Sequence, residues 1–152
     1  MILGPTRELV QQVADEALRL RGEMDVRISA VYGGQHFNRQ IRELQDGAQV
    51  IIGTPGRIID MMQRGHLKTS TVQYVVLDEA DRMLDIGFRP DIERILRRVP
   101  TERQTLLLSA TMPESVLRLT SRYMREPKNI DLTTGEISVD RIEQRYFTVD
   151  ED

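Results

Sequence analysis

The sequence contains no cysteine, and only two of its 21 basic residues are lysines, Lys68 and Lys128. A chain without cysteine has no disulfides, no thiolate metal sites and no cysteine nucleophile, and it suits a reducing compartment such as the cytoplasm. No apolar run approaches the roughly 20 residues that a membrane helix needs. No basic N-terminal region precedes a long apolar stretch, which argues against a signal peptide. We therefore expect a cytoplasmic protein without a membrane partner.

The composition is that of an ordinary globular domain. The chain has 152 residues, of which 39% are hydrophobic and 30% are charged, enough for one domain with a core. The net charge of -3 argues weakly against nonspecific binding of nucleic acid. Arginine suits bidentate phosphate contacts, so the positions of the arginines matter more than their number.

Short apolar runs alternate with helical periods along the chain. The pattern predicts strands at residues 2–3, 26–31, 50–53, 71–77, 105–108 and 129–132. It predicts helices at residues 6–21, 35–46, 54–64, 90–98 and 113–124. Such alternation is typical of an α/β fold with a parallel sheet covered by helices on both faces. Residues 50–52, 75–77 and 106–108 are apolar throughout, which predicts strands buried on both sides.

In such a sheet, ligands bind beyond the carboxyl ends of the strands. Three segments that follow predicted strands combine small residues, hydroxyls and arginines: Pro5 to Leu9, Gly33-Gly34 and Thr54 to Arg57. Helix N-termini and glycines are suited to holding phosphates. Together the three segments could follow a nucleic-acid backbone without reading bases. The alternative for each one is helix capping or turn chemistry, which is common for threonine before proline.

Two adjacent acids, Asp78 and Glu79, follow the apolar strand at residues 75–77. This arrangement resembles a Walker B element, in which an aspartate holds magnesium and a neighbouring glutamate orients the attacking water. A solvated pair of surface charges is the alternative, and the strand together with Asp81 and Arg82 disfavours it. Ser109 and Thr111 follow the next predicted strand, where their hydroxyls could hydrogen-bond the acids.

In this order the segments resemble motifs of the DEAD-box RNA helicases. Pro5 to Leu9 is similar to motif Ia, Gly33-Gly34 to the GG motif, Thr54 to Arg57 to motif Ib, Asp78 to Asp81 to motif II, and Ser109 to Thr111 to motif III. The resemblance covers essentially the whole chain. It implies the first RecA-like domain of an enzyme that uses ATP and magnesium to separate RNA strands locally.

The resemblance also implies roles for individual residues. Asp78 would hold magnesium through water, and Glu79 would orient the catalytic water. The coupling of ATP to RNA would involve Asp81, Arg82, Ser109 and Thr111. The RNA backbone would be contacted by Thr6, Arg7, Gly33, Gly34, Thr54, Gly56 and Arg57.

Three elements of the family pattern are missing from the sequence: the phosphate loop of motif I, the glutamine motif and the second RecA-like domain. No G-x-x-x-x-G-K-[ST] loop occurs, since glycine never precedes lysine. We therefore expect an N-terminally truncated RecA-like domain at residues 1–132, followed at 133–152 by a linker toward an absent second RecA-like domain. We expect little ATPase activity from the chain alone and weak magnesium binding at most.

The missing loop strand would leave residues 106–108 at an open sheet edge, which favours a homodimer or strand exchange, with residues 141–149 as a candidate strand. Two alternatives remain open: a standalone RNA-binding module, and a self-associating domain without ATPase activity.

Overall fold

The structure is a computed structural model that describes residues 1–132. Its strands are β1 (Ile2–Leu3), β2 (Ile28–Val31), β3 (Val50–Gly53), β4 (Tyr74–Leu77) and β5 (Gln104–Leu107). Its helices are α1 (Arg7–Arg21), α2 (Phe37–Gln45), α3 (Pro55–Gln63), α4 (Ala80–Asp85), α5 (Arg89–Leu96) and α6 (Glu114–Tyr123). Within these residues, no helix is both long and apolar enough to cross a membrane.

The five strands form one sheet in the order β2-β3-β1-β4-β5, and every neighbouring pair is parallel. The two-residue strand β1 lies in the centre, with Ile2 in register with Ile52 on one side and Val76 on the other. Because all strands run the same way, the segments that follow them emerge at one edge of the sheet. The predicted α/β fold with a parallel sheet is confirmed.

Helices cover the two faces of the sheet to different extents. On one face, a large core surrounds the fully buried Leu3, Val75 and Leu77, with side chains from α2, α3, α5 and α6 packed around them. On the other face, α1 places Val10 and Ala14 against the β1–β3 half of the sheet. The second face of β4 and β5 lies beyond the reach of α1.

The prediction that residues 106–108 are buried on both sides is therefore wrong. Leu106 is 40% exposed and Leu108 is 51% exposed, and Tyr74 on the neighbouring strand is 58% exposed. Val76 pairs with Leu106 on this same face and is half-buried. An apolar run indicates a strand, but burial also needs a covering layer. Within residues 1–132, no layer covers the second face of β4 and β5.

Two further details differ from the sequence expectations. The six-residue helix α4 begins within motif II, at Ala80, and it is too short to show a helical period in the sequence. The strand predicted at residues 129–132 is wrong, because the backbone there forms no ladder and Ile130 and Leu132 are 78% and 84% exposed. The predicted linker at 133–152 and the predicted strand at 141–149 lie outside the described residues.

Candidate nucleotide and nucleic-acid site

The carboxyl edge of the sheet brings together the segments that sequence analysis selected. Gly4 and Thr54 are tied to this edge by backbone hydrogen bonds to the carbonyls of Gly53 and Val31, at 3.1 Å each. Asp78 donates its backbone N–H to the Leu3 carbonyl at 2.9 Å. The site has two halves: an acid and hydroxyl half after β4 and β5, and a cleft after β1, β2 and β3.

The turn after β4 has an unusual backbone conformation. Glu79 has φ 49° and ψ 53°, a left-handed conformation that non-glycine residues rarely adopt and that often marks a functional turn. Its N–H donates to the Asp78 carboxylate at 3.0 Å, which stabilises the turn. The Glu79 carboxylate accepts a hydrogen bond at 3.0 Å from the guanidinium of Arg82, one turn further along α4.

Asp81 connects the turn after β4 to the loop after β5. Its carboxylate accepts hydrogen bonds from the hydroxyl and the backbone N–H of Thr111, at 2.7 and 2.9 Å. The backbone N–H of Asp81 donates to the Ser109 hydroxyl at 3.2 Å, and that hydroxyl donates to the Thr111 carbonyl at 2.6 Å. The hydroxyl of Thr111 is the main cause that lowers the pKa of Asp81 below its ordinary value. The structure thus joins Asp81, Ser109 and Thr111, as their order in the sequence suggested.

The acids of motif II do not form a common metal cage. In the part of the chain that the structure describes, no three side chains of the kinds that ligate metals converge. Asp81 faces the β5 loop, and Glu79 faces Arg82. Asp78 is half-buried at the strand end, where its oxygens suit one inner or water-mediated contact to magnesium. The fit to magnesium is therefore partial: one carboxylate, with water or phosphate needed for the remaining positions.

The other half of the site is an open cleft after β1, β2 and β3. It is lined by Pro5, Thr6, Arg7, Glu8, Gly33, Thr54 and Phe88. Four of these residues were selected from the sequence as backbone contacts. Phe88 was not selected, because an aromatic residue just before a helix is more often a core residue than a ligand contact.

The two threonines of the cleft differ in what their hydroxyls do. The Thr6 hydroxyl accepts the backbone N–H of Leu9 at 3.2 Å, so Thr6 caps α1. Thr54 occupies the same position before α3, yet its side chain makes no capping hydrogen bond. The capping interpretation holds for Thr6 and is wrong for the Thr54 side chain. Pro55 at the start of α3 supplies the fixed φ that begins the helix, which leaves the Thr54 hydroxyl available to a ligand.

The three glycines selected from the sequence as backbone contacts fall into two kinds. Gly34 has φ 83°, and a Cβ there would overlap the guanidinium of Arg7. This position therefore needs glycine for the fold and for the placement of Arg7. By contrast, a Cβ on Gly33 or Gly56 would meet no atom within 4 Å. The fold leaves open space at these two positions, which allows a ligand to approach the backbone closely.

Arg57 is held against an aromatic ring. Its guanidinium carbon lies 5.1 Å from the ring centroid of Phe37, at the start of α2, and that of Arg64 lies 5.0 Å away. The ring of His66 packs against the Phe37 ring in a T-shaped arrangement, with 5.9 Å between the two ring centroids. Cation–π contact of this kind restricts the arginine side chain. Phe37 also packs as a partly buried side chain against the core, and its role as a support for Arg57 was not foreseen from the sequence.

Gln40 is another residue that sequence reasoning missed. Its side chain is 1% exposed and donates to the Tyr32 carbonyl at 2.9 Å. Tyr32 immediately precedes Gly33 and Gly34, so the amide anchors the glycine turn of the cleft. A glutamine within a helical period gives no sequence signal of this kind, because most glutamines on helices face solvent.

Comparison with known proteins gives consistent results. Residues 1–119 match the family described as DEAD/DEAH box helicase. The chain is 49% identical over 151 residues to the DEAD-box ATP-dependent RNA helicase CshA of Geobacillus kaustophilus, a match that covers 99% of this chain and 32% of that protein. It is 48% identical to the ATP-dependent RNA helicase CshA of Listeria monocytogenes over 99% of this chain and 29% of that protein.

A solved structure extends the comparison to the fold. The crystal structure of a DEAD box protein from Methanococcus jannaschii matches with a TM-score of 0.80 and 46% identity. That match covers 82% of this chain and 34% of the other. The chain spans 32% and 29% of the length of the two CshA relatives.

Proposed function

Because this chain belongs to the DEAD/DEAH box helicase family, we propose that it is part of an ATP-dependent RNA helicase that couples ATP hydrolysis to local unwinding of RNA duplexes. Residues 1–132 would bind the RNA backbone and contribute the carboxylate side of the magnesium-nucleotide site. The hydrogen bonds between Asp81 and Thr111 carry this proposal. They connect the strand end that bears Asp78 to the β5 loop at the same sheet edge as the cleft.

The proposed RNA contacts are made by groups that the fold leaves available. Arg7 supplies a guanidinium in the cleft, packed at Gly34, and Arg57 supplies one near the start of α3, packed on Phe37. The Thr54 hydroxyl and the backbone at Gly33 and Gly56 supply donors without steric obstruction. Such a set holds phosphates and sugars without reading bases, which suits an enzyme that acts on many RNA sequences.

The proposed nucleotide site is incomplete within this chain. Magnesium-bound ATP, where present, supplies the phosphoryl group whose hydrolysis drives the cycle. Asp78 would hold the metal through water, and Glu79 would orient the attacking water. Arg82 of α4 pairs with Glu79 at 3.0 Å, so a movement of Glu79 would be transmitted to α4. A phosphate-cradling loop with its lysine is not in the sequence, and a second RecA-like domain would be a partner rather than part of residues 1–132.

We accordingly propose that the 152-residue chain alone has no useful ATPase activity and binds magnesium weakly. The test is ATP turnover by the purified chain with single-stranded RNA present and absent. The expected result is turnover at the background level of an Asp78→Asn variant. Robust magnesium-dependent hydrolysis by the wild type that Asp78→Asn abolishes would contradict the proposal.

RNA binding is tested separately with arginine variants. Arg57→Ala should weaken binding of single-stranded RNA, because it removes a positioned guanidinium from the start of α3, beside the cleft residue Thr54. Arg19→Ala is the matched control, since Arg19 is 80% exposed near the end of α1 that lies away from the cleft. Equal affinities of the two variants would contradict an RNA site at the carboxyl edge and would favour a chain without RNA-binding function.

A second proposal concerns self-association. Strand β5 pairs only with β4 among the described strands, and Leu106, Leu108 and Tyr74 expose an apolar face beside it. An apolar edge strand with unpaired backbone groups is a template for another strand. We propose that two copies of the chain associate through β5.

A further inference from the structure

Positive charge is concentrated in one segment of the chain. Residues 89–125 contain eight arginines and four acidic residues, a net charge of +4. Because the whole chain carries -3, the remainder carries -7. The segment comprises α5, β5, α6 and their connections. It lies outside the strand-end segments of the cleft, so the proposed function does not account for this charge.

Three arginines of this segment converge on one carboxylate. Glu93 of α5 is 9% exposed. It accepts hydrogen bonds from Arg89 at 3.1 Å, from Arg97 at 2.7 Å and from Arg122 of α6 at 3.4 Å. The Tyr123 hydroxyl also donates to it at 3.2 Å. The hydrogen bond from Arg89 is the first of the contacts that lower the pKa of Glu93, so the carboxylate stays ionised. These three arginines and Glu93, here called the Glu93 cluster, carry a net charge of +2.

The guanidiniums of the Glu93 cluster have donors left over. Their side chains are 42%, 59% and 59% exposed for Arg89, Arg97 and Arg122. Each guanidinium has five N–H donors, and only a minority of them contact Glu93. The carboxylate fixes the three groups in place without neutralising them. A fixed set of cations with free forked donors is suited to phosphate oxygens.

More positive charge adjoins the cluster. Arg103 donates to the backbone carbonyl of Tyr123 at 3.3 Å. Burial is the main cause that lowers its pKa, and the nearby Arg125 lowers it further. Arg125 is paired only loosely with the exposed Glu102, at 3.4 Å. The surface between α5 and the end of α6 is therefore positive beyond the cluster itself.

The position of the cluster relates it to the cleft. Phe88 lines the cleft, and the next residue, Arg89, is the first of α5 and the first member of the cluster. From Arg89 to Arg97 the helix rises about 12 Å. A polyanion that leaves the cleft past Phe88 would meet Arg89 first and then Arg97 and Arg122.

A purely structural role explains the cluster less well. One ion pair between Glu93 and Arg122 would suffice to connect α5 to α6. Three cations around one carboxylate repel each other, and that repulsion is relieved when an anion binds. Arg89 and Arg97 lie four residues from Glu93 on the same stretch of chain, so their ion pairs with it connect α5 to no other element.

We propose that the Glu93 cluster is a second contact surface for the RNA phosphate backbone, engaged by the part of a strand that extends beyond the cleft past Phe88. This inference rests on the proposed RNA-binding function and adds a site to it. RNA is favoured over an acidic protein segment because the cluster adjoins a cleft suited to phosphates.

The test compares single-stranded oligouridylates of increasing length, with affinity measured by fluorescence anisotropy over a range of salt concentrations. The double variant Arg97→Ala/Arg122→Ala should bind the shortest bound oligonucleotide like the wild type and the long ones more weakly. For the long ones, the slope of log affinity against log salt should fall by about 0.7 for each phosphate that the variant no longer neutralises. The control Arg19→Ala/Arg94→Ala removes the same charge from exposed positions outside the cluster.

Glu93→Gln separates the binding role from a structural one. It removes the negative charge from the cluster, so it should tighten binding of the long oligonucleotides while lowering thermal stability. A merely structural cluster would give lower stability without tighter binding. Equal effects of the double variant and its control on long RNA would overturn the inference, as would an unchanged affinity in a folded Glu93→Gln protein. A different result would contradict the proposed function: an unchanged affinity of Arg57→Ala for the short oligonucleotide.

Discussion

The carboxylate of Asp81 accepts two hydrogen bonds from Thr111, one from its hydroxyl at 2.7 Å and one from its backbone N–H at 2.9 Å. Asp81 lies on the first turn of α4, and Thr111 lies in the loop after β5. Strands β4 and β5 are neighbours, so this contact fixes the two loops relative to each other.

The contact between Asp81 and Thr111 should make stability depend on pH. Hydrogen bonding lowers the pKa of Asp81 in the folded state, so its contribution is present above the unfolded pKa of about 3.9 and is lost as pH falls through the folded value. Thr111→Val should destabilise the chain by about 1 kcal/mol at neutral pH. The loss should shrink below about pH 4, as measured by urea unfolding at several pH values. Thr111→Ser is the control that keeps the hydroxyl, and a pH-independent loss for Thr111→Val would contradict the argument.

The two cleft threonines should respond differently to the same substitution. Thr6→Ala removes the cap of α1 and should lower the free energy of unfolding by about 1 kcal/mol. Thr54→Ala removes a hydroxyl that caps nothing, so stability should change little while RNA affinity falls. Urea unfolding and RNA titration of both variants check this. Equal stability losses would show that Thr54 caps α3 after all.

Phe37 should affect RNA binding only through Arg57. Phe37→Leu keeps an apolar side chain but removes the ring face under the guanidinium. It should weaken RNA binding about threefold, as expected for the 0.5–1 kcal/mol of an exposed cation–π contact. In an Arg57→Ala background the same change should have no further effect, which a double-mutant cycle of RNA affinities would measure. Additive losses in the cycle would mean that Phe37 acts on its own.

Association through β5 should depend on its exposed face. Light scattering of the wild type should show a mass that rises with concentration toward a dimer. Leu106→Lys places a charge on the edge strand and should keep the chain monomeric at the same concentrations. Leu117→Lys on α6 is the control, since Leu117 is 49% exposed and belongs to a helix rather than to strand β5. A monomer mass for the wild type over a wide concentration range would refute the proposal.

The sequence predicted the fold well where local pattern and tertiary structure agree. All five strands of the sheet were expected, because their apolar runs are bounded by turns. The prediction of burial failed where burial depends on a neighbouring element. Leu106 lies in an apolar run like that of Val75, yet no layer covers Leu106 within residues 1–132. The alternation of Ile130 and Leu132 also resembled a strand, but a strand needs a partner to pair with, and the backbone of residues 129–132 forms no ladder.

The sequence predicted which residues lie at the site better than it predicted how they are arranged. Asp81 and Thr111 could be predicted to lie at the same edge of the sheet, because they follow two neighbouring parallel strands. The left-handed turn at Glu79 was not foreseeable, because glutamate rarely adopts it. The support of Arg57 by Phe37 and the buried amide of Gln40 depend on how α2 packs, which sequence spacing does not determine.

The most direct test of the account is a map of where RNA contacts the chain. Amide chemical shifts of the isotopically labelled protein would be followed by NMR during titration with single-stranded RNA. The account predicts that the largest changes occur at the carboxyl edge, at Arg7, Gly33, Gly34, Gly56 and Arg57. Changes confined to residues 11–21 of α1, or the absence of any change at saturating RNA, would contradict it.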